Sequence, residues 1–342
     1  MLARVLRLFS PARLAATGLV LLVAVAAALW LTPSRSYLYL PDPARAVDPL
    51  ITVPGEKQSQ KDLGGIYFVD VIVRRATLIE RLFPSLHDGS TLVPASLVKP
   101  PGTSDRQRRQ EALREMSRSQ SIASAVALRA LGYKIVARPR GALIAQIAVD
   151  APAAGKLQPT DIVVAVDGRP VRTPDDLRRL IRRHRPGESV RLTVRDAHGQ
   201  RQVTLRTIAA PGAPSVPIIG VIVDQAADLK LPLDIRVNAR GVGGPSAGLA
   251  FALDVLEELG RDVDRGYKVA ATGELRLDGT VRPIGGVKQK TIGARRAGVD
   301  VFLVPAGENA REARRYAKGL RIIAVQSFPQ ALHALATLRP KA

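Results

Sequence analysis

The 342-residue sequence predicts an α/β (α+β) chain, and three observations support this prediction. Strand and helix patterns alternate from residue 218 to the end, which is typical of an α/β unit. Short strands around a single helix predict a small β-rich module over residues 133–208. The N-terminus contains one long uncharged apolar run. We therefore divide the chain into residues 1–33, 34–132, 133–208 and 218–342.

The composition excludes several classes of function. Apolar residues make up 46% of the chain, which is too high for a disordered protein. The chain has no cysteine, so disulfides, zinc–thiolate sites and a cysteine nucleophile are excluded. Lys and Arg (51) outnumber Asp and Glu (30), which gives a net charge of +21. Aromatic residues are only 4% and do not interleave with basic stretches, so we expect no nucleic acid partner.

The N-terminus predicts a transmembrane helix that anchors the chain. Arg4, Arg7 and Arg13 precede an uncharged run over residues 14–32, and about 20 apolar residues span a bilayer. Basic charge before the run favours a cytoplasmic N-terminus. We expect a single pass through the cytoplasmic membrane, with the rest of the chain on the extracytoplasmic side. A cleaved signal peptide is the alternative, because residues 26–28 are all alanine.

The next region, residues 34–132, contains one clear strand pattern and one clear helix pattern. Residues 64–73 are β-branched and aromatic and begin with two glycines, which predicts a strand. Residues 105–131 carry apolar side chains near helical spacing, and Gly132 follows them. This helix therefore closes the region just before the β-rich module begins.

The module over residues 133–208 carries a recognisable run at Ala151–Gly168, which contains Ala-x-x-Ala-Gly and ends in Asp-Gly. Thr173 and Pro174 then open a helix as cap and first residue. The run resembles PDZ domains of the bacterial protease type. That resemblance implies a groove between a strand and the helix at 173–183, which takes a peptide terminus or an extended peptide as an added strand. The alternative is a module that only packs or gates.

Ser246 lies in the run Gly243-Gly244-Pro245-Ser246-Ala247-Gly248, ahead of a predicted helix over 246–259. Free N–H groups at a helix N-terminus favour negative charge. A serine there, flanked by Gly244 and Ala247 as supporting residues, is a workable nucleophile beside an oxyanion site. The alternative is that Ser246 merely caps the helix. A nucleotide-binding P-loop motif is absent from the sequence.

A serine nucleophile needs a base. None of the four histidines lies in a run with other candidate catalytic residues. Lys288 and Lys290 follow apolar Ile284 and Val287, and burial lowers the pKa of a lysine. A neutral lysine in this segment could accept the serine proton. The alternative is that both lysines are solvated on a helix surface.

Three ordered motifs connect the candidate residues. They are Gly244–Gly248, then Thr272–Glu274, then Gly279–Lys290, which reads Gly-Thr-Val-Arg-Pro-Ile-Gly-Gly-Val-Lys-Gln-Lys. Together they resemble the proteolytic domain of the Lon protease family. The resemblance implies that Lys290 is the catalytic lysine and that Thr272 is a supporting threonine that orients its amine.

The order of anchor, N-terminal region, PDZ domain and Lon-type domain resembles bacterial PDZ–Lon proteins. Cytoplasmic Lon enzymes carry an ATPase module ahead of this domain, which these residues lack, and usually an acid where this chain has Gly243. We therefore expect an ATP-independent serine endopeptidase with a Ser246–Lys290 dyad. It would cleave unfolded or membrane-proximal polypeptides outside the cytoplasmic membrane without a metal, a nucleotide or another cofactor.

Two further expectations follow from the resemblance and its alternative. The Lon resemblance implies a homo-oligomer, in the form of a hexameric ring. The alternative function is a membrane-anchored adaptor that binds peptides through its PDZ domain and keeps a silent or self-cleaving protease domain.

Overall fold

The computed structural model describes residues 11–54, 64–99, 104–148, 150–196, 199–239 and 241–341. The helices are α1 (Pro11–Leu31), α2 (Leu78–Leu82), α3 (Ala95–Val98), α4 (Asp105–Ala130), α5 (Pro174–Ile181), α6 (Gly248–Glu258), α7 (Val287–Arg296), α8 (Glu308–Tyr316) and α9 (Phe328–Ala336).

The first strands are β1 (Pro33–Pro41), β2 (Arg45–Ala46), β3 (Ile51–Thr52), β4 (Gly65–Phe68), β5 (Val71–Thr77), β6 (Thr91–Pro94), β7 (Val136–Ile147), β8 (Ile162–Val166), β9 (Arg169–Pro170) and β10 (Ser189–Asp196). The remaining strands are β11 (Gly199–Arg206), β12 (Ile208–Ala210), β13 (Ala213–Ile218), β14 (Val221–Lys230), β15 (Arg236–Val237), β16 (Lys268–Ala271), β17 (Glu274–Leu275), β18 (Val281–Arg282), β19 (Val301–Pro305) and β20 (Arg321–Val325).

The structure does not support the transmembrane anchor predicted within residues 1–33. Across the described residues, no helix is both long enough and apolar enough to cross a bilayer. Arg4 and Arg7, on which the predicted orientation depends, lie outside the described residues.

The central sheet joins distant parts of the chain. Its order is β2-β4-β16-β19-β20, with β4, β16, β19 and β20 parallel and β2 antiparallel to β4. Ile66 and Phe68 of β4 are buried in the same apolar cluster as Val269 and Leu303. Residues 34–132 therefore contribute to the sheet and the core that the last third of the chain forms.

Helix α4 packs against α6 beneath this sheet. The Ser104 hydroxyl caps α4 by accepting a hydrogen bond from the Gln107 N–H, at 3.2 Å. Every residue of α6 is buried, as expected for a helix that is apolar on most sides. Met116 and Ala123 of α4 belong to the same buried cluster as α6. The segment that precedes α6 in the sequence packs against both helices.

The β-rich module forms a sheet in the order β11-β10-β8-β7-β14, with α5 packed against it. Thr173 caps α5 as predicted, because its hydroxyl accepts the Asp176 N–H at 3.1 Å. Residues 218–223 lie at the start of the predicted last unit, but Ile218 ends β13 and Val221 begins β14. That strand pairs antiparallel with β7 from Val221 opposite Ile147 to Lys230 opposite Val136. The sheet of the β-rich module therefore extends to residue 230.

Candidate active site

The serine lies on a tight turn ahead of α6. Residues Pro245–Ala247 form a 3₁₀ turn, and α6 begins at Gly248 rather than at the predicted residue 246. Gly244 has φ 88° and ψ 158°, a conformation that favours glycine. Ala247 is the cap residue of α6, and no side chain caps its first turn. The Ser246 hydroxyl is therefore not used as a helix cap.

Lys290 reaches this hydroxyl from α7. Its Nζ donates hydrogen bonds to Ser246 Oγ at 2.6 Å and to Thr272 Oγ1 at 3.2 Å. Lys290 is only 4% exposed. Burial lowers the pKa of Lys290 to about 8, although the negative charge of Asp70 opposes this shift. A large fraction of Lys290 is thus neutral slightly above neutral pH and can accept a proton.

Lys288, two residues earlier on the same helix, lies in different surroundings. Its Nζ donates to the Ser90 carbonyl oxygen at 2.8 Å and lies 5.6 Å from the centre of the Tyr316 ring. Residues two apart point to different sides of a helix. Lys288 therefore holds the N-terminal region against α7 and has no contact with Ser246.

Thr272 connects the lysine to the serine backbone. It follows β16 directly, is fully buried, and donates its N–H to the Leu303 carbonyl oxygen at 3.0 Å. Its hydroxyl accepts from Lys290 and donates to the Ser246 carbonyl oxygen at 3.2 Å. The next N–H, of Gly273, also donates to that oxygen, at 2.8 Å. The end of β16 thus fixes both the turn and the lysine amine.

Helix α4 supports the other side of the turn, which sequence reasoning missed. The Gly244 N–H donates to the Ala112 carbonyl oxygen at 2.7 Å, and Ser119 Oγ donates to the Pro245 carbonyl oxygen at 3.0 Å. A Cβ at Gly243 would lie 2.8 Å from Ala112 Cβ, so no side chain fits there without movement. The sequence feature that points to this contact is a pair of small residues, 112 and 119, on one face of the helix.

Asp70 is a second residue that sequence reasoning missed. The strand predicted at 64–73 is interrupted at this residue, between β4 and β5. Asp70 accepts the Val71 N–H at 2.7 Å and lies 3.5 Å from the Arg45 guanidinium. Burial raises its pKa, and the charges of Lys290 and Arg45 oppose that rise. The sequence feature that points to Asp70 is that it is the single acidic residue within the otherwise apolar run at residues 66–73.

The site opens into a cleft of about 1200 Å³. Ser246 and Lys290 lie on its wall, and Asp224 and Gln225 of β14 line another part of it. Glu115 of α4 also lines the cleft, and burial raises its pKa to about 7. An extended polypeptide segment can therefore reach the serine from an open space.

Among the residues that the structure describes, Glu257, Asp262 and Asp264 are close enough to share a metal ion. Glu257 Oε1 already accepts the N–H groups of Val263 and Asp264, at 2.6 Å each. These bonds hold the turn after α6. The cluster therefore has a structural role at the far end of the helix that Ser246 precedes.

Comparisons with known proteins match two parts of the chain. Residues 230–336 match the family model of the Lon protease (S16) C-terminal proteolytic domain, and residues 129–207 match that of the PDZ domain. Lon protease 2 of Bacillus subtilis (strain 168) is 36% identical over 102 residues, which is 29% of this chain and 18% of that protein. Lon protease 1 of Sorangium cellulosum (strain So ce56) is 43% identical over 97 residues, 25% of this chain and 12% of that protein.

Among solved structures, the PDZ domain of the SdrC-like protein from Listeria monocytogenes is similar to part of this chain. The aligned region covers 25% of this chain and 87% of the solved one. The identity is 20% and the TM-score is 0.23. The two family models cover the segments that also carry the predicted motifs. The chain therefore contains a PDZ domain followed by a proteolytic domain of the Lon (S16) type.

Proposed function

We propose that the chain is a serine endopeptidase that acts without ATP, with Ser246 as nucleophile and Lys290 as base. The observation that carries this proposal is the 2.6 Å contact between Lys290 Nζ and Ser246 Oγ. It occurs at a buried lysine whose pKa is lowered to about 8. The Lon-type domain at 230–336 supports it, although the relatives are several times longer than the matched segment.

The proposed reaction uses groups that the structure brings together. Neutral Lys290 takes the Ser246 proton as Oγ attacks the peptide carbonyl. Backbone N–H groups at the start of the turn, those of Ser246 and Ala247, stabilise the oxyanion. Lys290 then gives its proton to the leaving amine. Water, deprotonated by Lys290, releases the acyl group and regenerates Ser246. The Thr272 hydroxyl keeps the Lys290 amine next to Ser246 Oγ during all of these steps.

The proposed substrates are unfolded polypeptides. The cleft is open and the serine lies on its wall, so an extended chain can reach Ser246. The test compares casein with a compact folded protein, with and without ATP and Mg²⁺. We expect fragments from casein alone, at the same rate in both conditions. A requirement for ATP, or equal cleavage of the folded protein, would contradict the proposal.

A peptide-binding adaptor with a silent protease domain is the second candidate, because the chain contains a PDZ domain. No turnover of casein, together with peptide binding by the intact protein, would favour it. Self-cleavage is distinguished by intact mass, since only a self-cleaving protein would yield fragments that Ser246→Ala lacks. Either result would replace the endopeptidase proposal.

Location and assembly form a separate part of the proposal. We propose that the catalytic site lies outside the cytoplasmic membrane, and the N-terminal sequence alone supports this location. We also propose a hexameric ring, and the Lon resemblance supports this assembly. Digestion of a C-terminal tag by protease added to intact spheroplasts would support the location, and protection of the tag would contradict it. Light scattering of the purified protein at six times the 36.6 kDa chain mass would support the ring.

Replacing Asp70 with asparagine is expected to shift the pH dependence of cleavage. Lys290 must be neutral to act, so the rate rises with pH around its pKa of about 8. The Asp70 charge favours the protonated lysine, and its removal lowers that pKa further. The rising limb of kcat/KM should therefore move to lower pH.

Two control variants accompany this titration. Asp88→Asn removes an exposed acid that pairs with Arg296 at 2.9 Å, and it should leave the limb in place. Glu115→Gln removes a cleft carboxyl whose pKa burial raises to about 7. A limb that stays in place in this variant excludes Glu115 as its source. A limb that stays fixed in Asp70→Asn would be evidence against the coupling of Asp70 to Lys290.

Replacing Thr272 with valine is expected to lower kcat about 30-fold. The change keeps the shape but removes the hydroxyl that binds Lys290 Nζ and the Ser246 carbonyl oxygen, and each such bond contributes about 1 kcal/mol. Thr291→Val is the control, because its buried hydroxyl binds only the Val287 carbonyl oxygen, at 2.8 Å. Steady-state cleavage of a peptide substrate measures both; equal kcat values would show that Thr272 does not position the lysine.

A further inference from the structure

The loop that leads into β6 packs on the helix that carries the proposed base. Gln289 of α7 is 2% exposed, and its Nε2 donates hydrogen bonds to the Gly89 carbonyl oxygen at 3.0 Å and to Thr91 Oγ1 at 2.8 Å. A Cβ at Gly89 would lie 2.7 Å from Ile292 Cδ1, so the loop backbone also lies close to the next turn of α7. Loop 87–91 therefore contacts α7 both before and after the lysine.

Loop 87–91 has its own anchors at both ends. At its start, His87 Nε2 lies 2.7 Å from Glu80 Oε1, and the Glu80 side chain is 3% exposed. At its end, Thr91 is the direct partner of Tyr39 where β6 pairs with β1. The loop can therefore act as a fixed support for α7.

Gln289 and Lys290 make different contacts from adjacent positions on α7. Adjacent residues on a helix point to different sides, and here Lys290 contacts Ser246 while Gln289 contacts the loop. A buried amide costs free energy unless its donors are paired. The Gln289 amide therefore favours the one rotation of α7 about its axis in which it meets the loop.

The other contacts between this loop and α7 lie nearer to solvent. Asp88 is 86% exposed where it pairs with Arg296, and the half-buried Lys288 binds the Ser90 carbonyl oxygen. Exposed ion pairs contribute little to stability, and water can replace the Lys288 amine as a partner. Gln289, with two hydrogen bonds in a buried position, is the residue that holds the helix to the loop.

We propose that Gln289 is a positioning residue for the base: by binding loop 87–91, it keeps Lys290 Nζ at hydrogen-bond distance from Ser246 Oγ. This inference rests on the proposed Ser246–Lys290 peptidase. The loop lies outside both segments that match the family models. The N-terminal region would thus contribute directly to the geometry of the dyad.

The test replaces Gln289 with methionine in the full chain. Methionine keeps the length and bulk of the side chain but leaves the Gly89 carbonyl oxygen without its donor. A displacement of about 1 Å can lower a rate about 10²-fold, so we expect kcat for a peptide substrate to fall by about that factor. KM should stay within about twofold of wild type, because only the reacting geometry changes.

The pH dependence of the same variant gives a second reading. Burial lowers the pKa of Lys290 to about 8, and Asp70 is the charge that opposes this shift. A displaced amine is less buried, so its pKa rises. The rising limb of kcat/KM should therefore move to higher pH in Gln289→Met, opposite to the shift expected for Asp70→Asn.

Two further variants separate positioning from packing. Thr291→Val removes the neighbouring buried hydroxyl of α7, which binds the Val287 carbonyl oxygen within the helix, and should leave kcat and the limb unchanged. Thr91→Val removes one of the two partners of the Gln289 amide and should lower kcat about fivefold. Thr91→Val combined with Gln289→Met should be no less active than Gln289→Met alone, because both changes remove the same interaction.

Acetylation of Lys290 by acetic anhydride, followed by mass spectrometry across a pH series, reports the lysine pKa without turnover. A higher midpoint in Gln289→Met would support the positioning role even if the wild type cleaved no substrate, a result that would reject the peptidase alone. A kcat within about threefold of wild type, or an unchanged midpoint, would overturn the inference. If Gln289→Met does not fold, Thr91→Val decides, and wild-type kcat and midpoint in that variant would overturn it.

Discussion

Replacing Lys290 with methionine is expected to lower kcat/KM for a peptide substrate about 10³-fold. A positioned general base contributes typically 10²–10⁴-fold, and Lys290 is the group within hydrogen-bond distance of Ser246 Oγ, at 2.6 Å. Methionine keeps the length and the apolar stem but cannot accept a proton. Peptide cleavage measured above pH 8, where the wild-type lysine is mostly neutral, gives the largest contrast.

Lys288→Met is the matched control for this change. It removes the same charge from the same helix, but its amine contacts the Ser90 carbonyl oxygen and not Ser246. We expect activity within about twofold of wild type, as for surface changes of small energetic effect. The pair Ser246→Ala with Lys290→Met should be no less active than either single variant, because the two groups act as one unit. Equal losses in Lys288→Met and Lys290→Met would contradict the assignment of the base.

Gly293→Ala is expected to destabilise the protein by about 1–3 kcal/mol, the usual effect of overpacking. A Cβ at this position would lie 2.0 Å from the Asp42 carbonyl oxygen, so the N-terminal segment must move away from α7. In an ordinary helix the same change would be stabilising by about 1 kcal/mol. Gly293 lies one turn after Lys290, so activity should fall with stability.

Gly285→Ala is the control for stability, because a Cβ at this position would have no heavy atom within 4 Å. Denaturant unfolding of the three proteins measures the difference. An unchanged free energy of unfolding in Gly293→Ala would mean that residues 34–132 do not pack tightly on α7. It would also argue against the apolar cluster that Ala44 and Val69 share with Val287 and Ala294 of α7.

The candidate site could be located from the sequence because its residues lie in short local motifs. Ser246, Thr272 and Lys290 each belong to a run whose spacing is visible within a few residues. The structure shows how these three residues come together. The 3₁₀ turn of Ser246, the end of β16 and α7 lie side by side only once the sheet has formed. It also places the start of α6 two residues later than predicted, which leaves the serine on a 3₁₀ turn.

The supporting residues could not be found in the same way. Asp70 and Ser119 act on the site from positions more than 120 residues away from Ser246, through a parallel strand and a packed helix. Alternation of apolar residues predicts a strand but does not say which sheet it joins. For that reason the sequence-based division places residues 218–223 in the last unit, whereas the pairing of Val221 and Val223 with β7 depends on an edge formed some 80 residues earlier.

The transmembrane prediction shows a different limit. It depended on the length of the uncharged run over residues 14–32, and its orientation depended on flanking charges, of which Arg4 and Arg7 lie outside the described residues. The described part of the chain contains no helix that meets the requirements for a membrane span.

The role of Ser246 as nucleophile is tested most directly by casein cleavage with the full chain and its Ser246→Ala variant. Equal melting temperatures of the two proteins first show that the variant is folded. Both proteins are then assayed without nucleotide above pH 8. We expect fragments from the wild type and none from the variant, because alanine lacks the Oγ that lies 2.6 Å from the buried lysine. Equal cleavage by the two proteins would contradict the Ser246–Lys290 dyad.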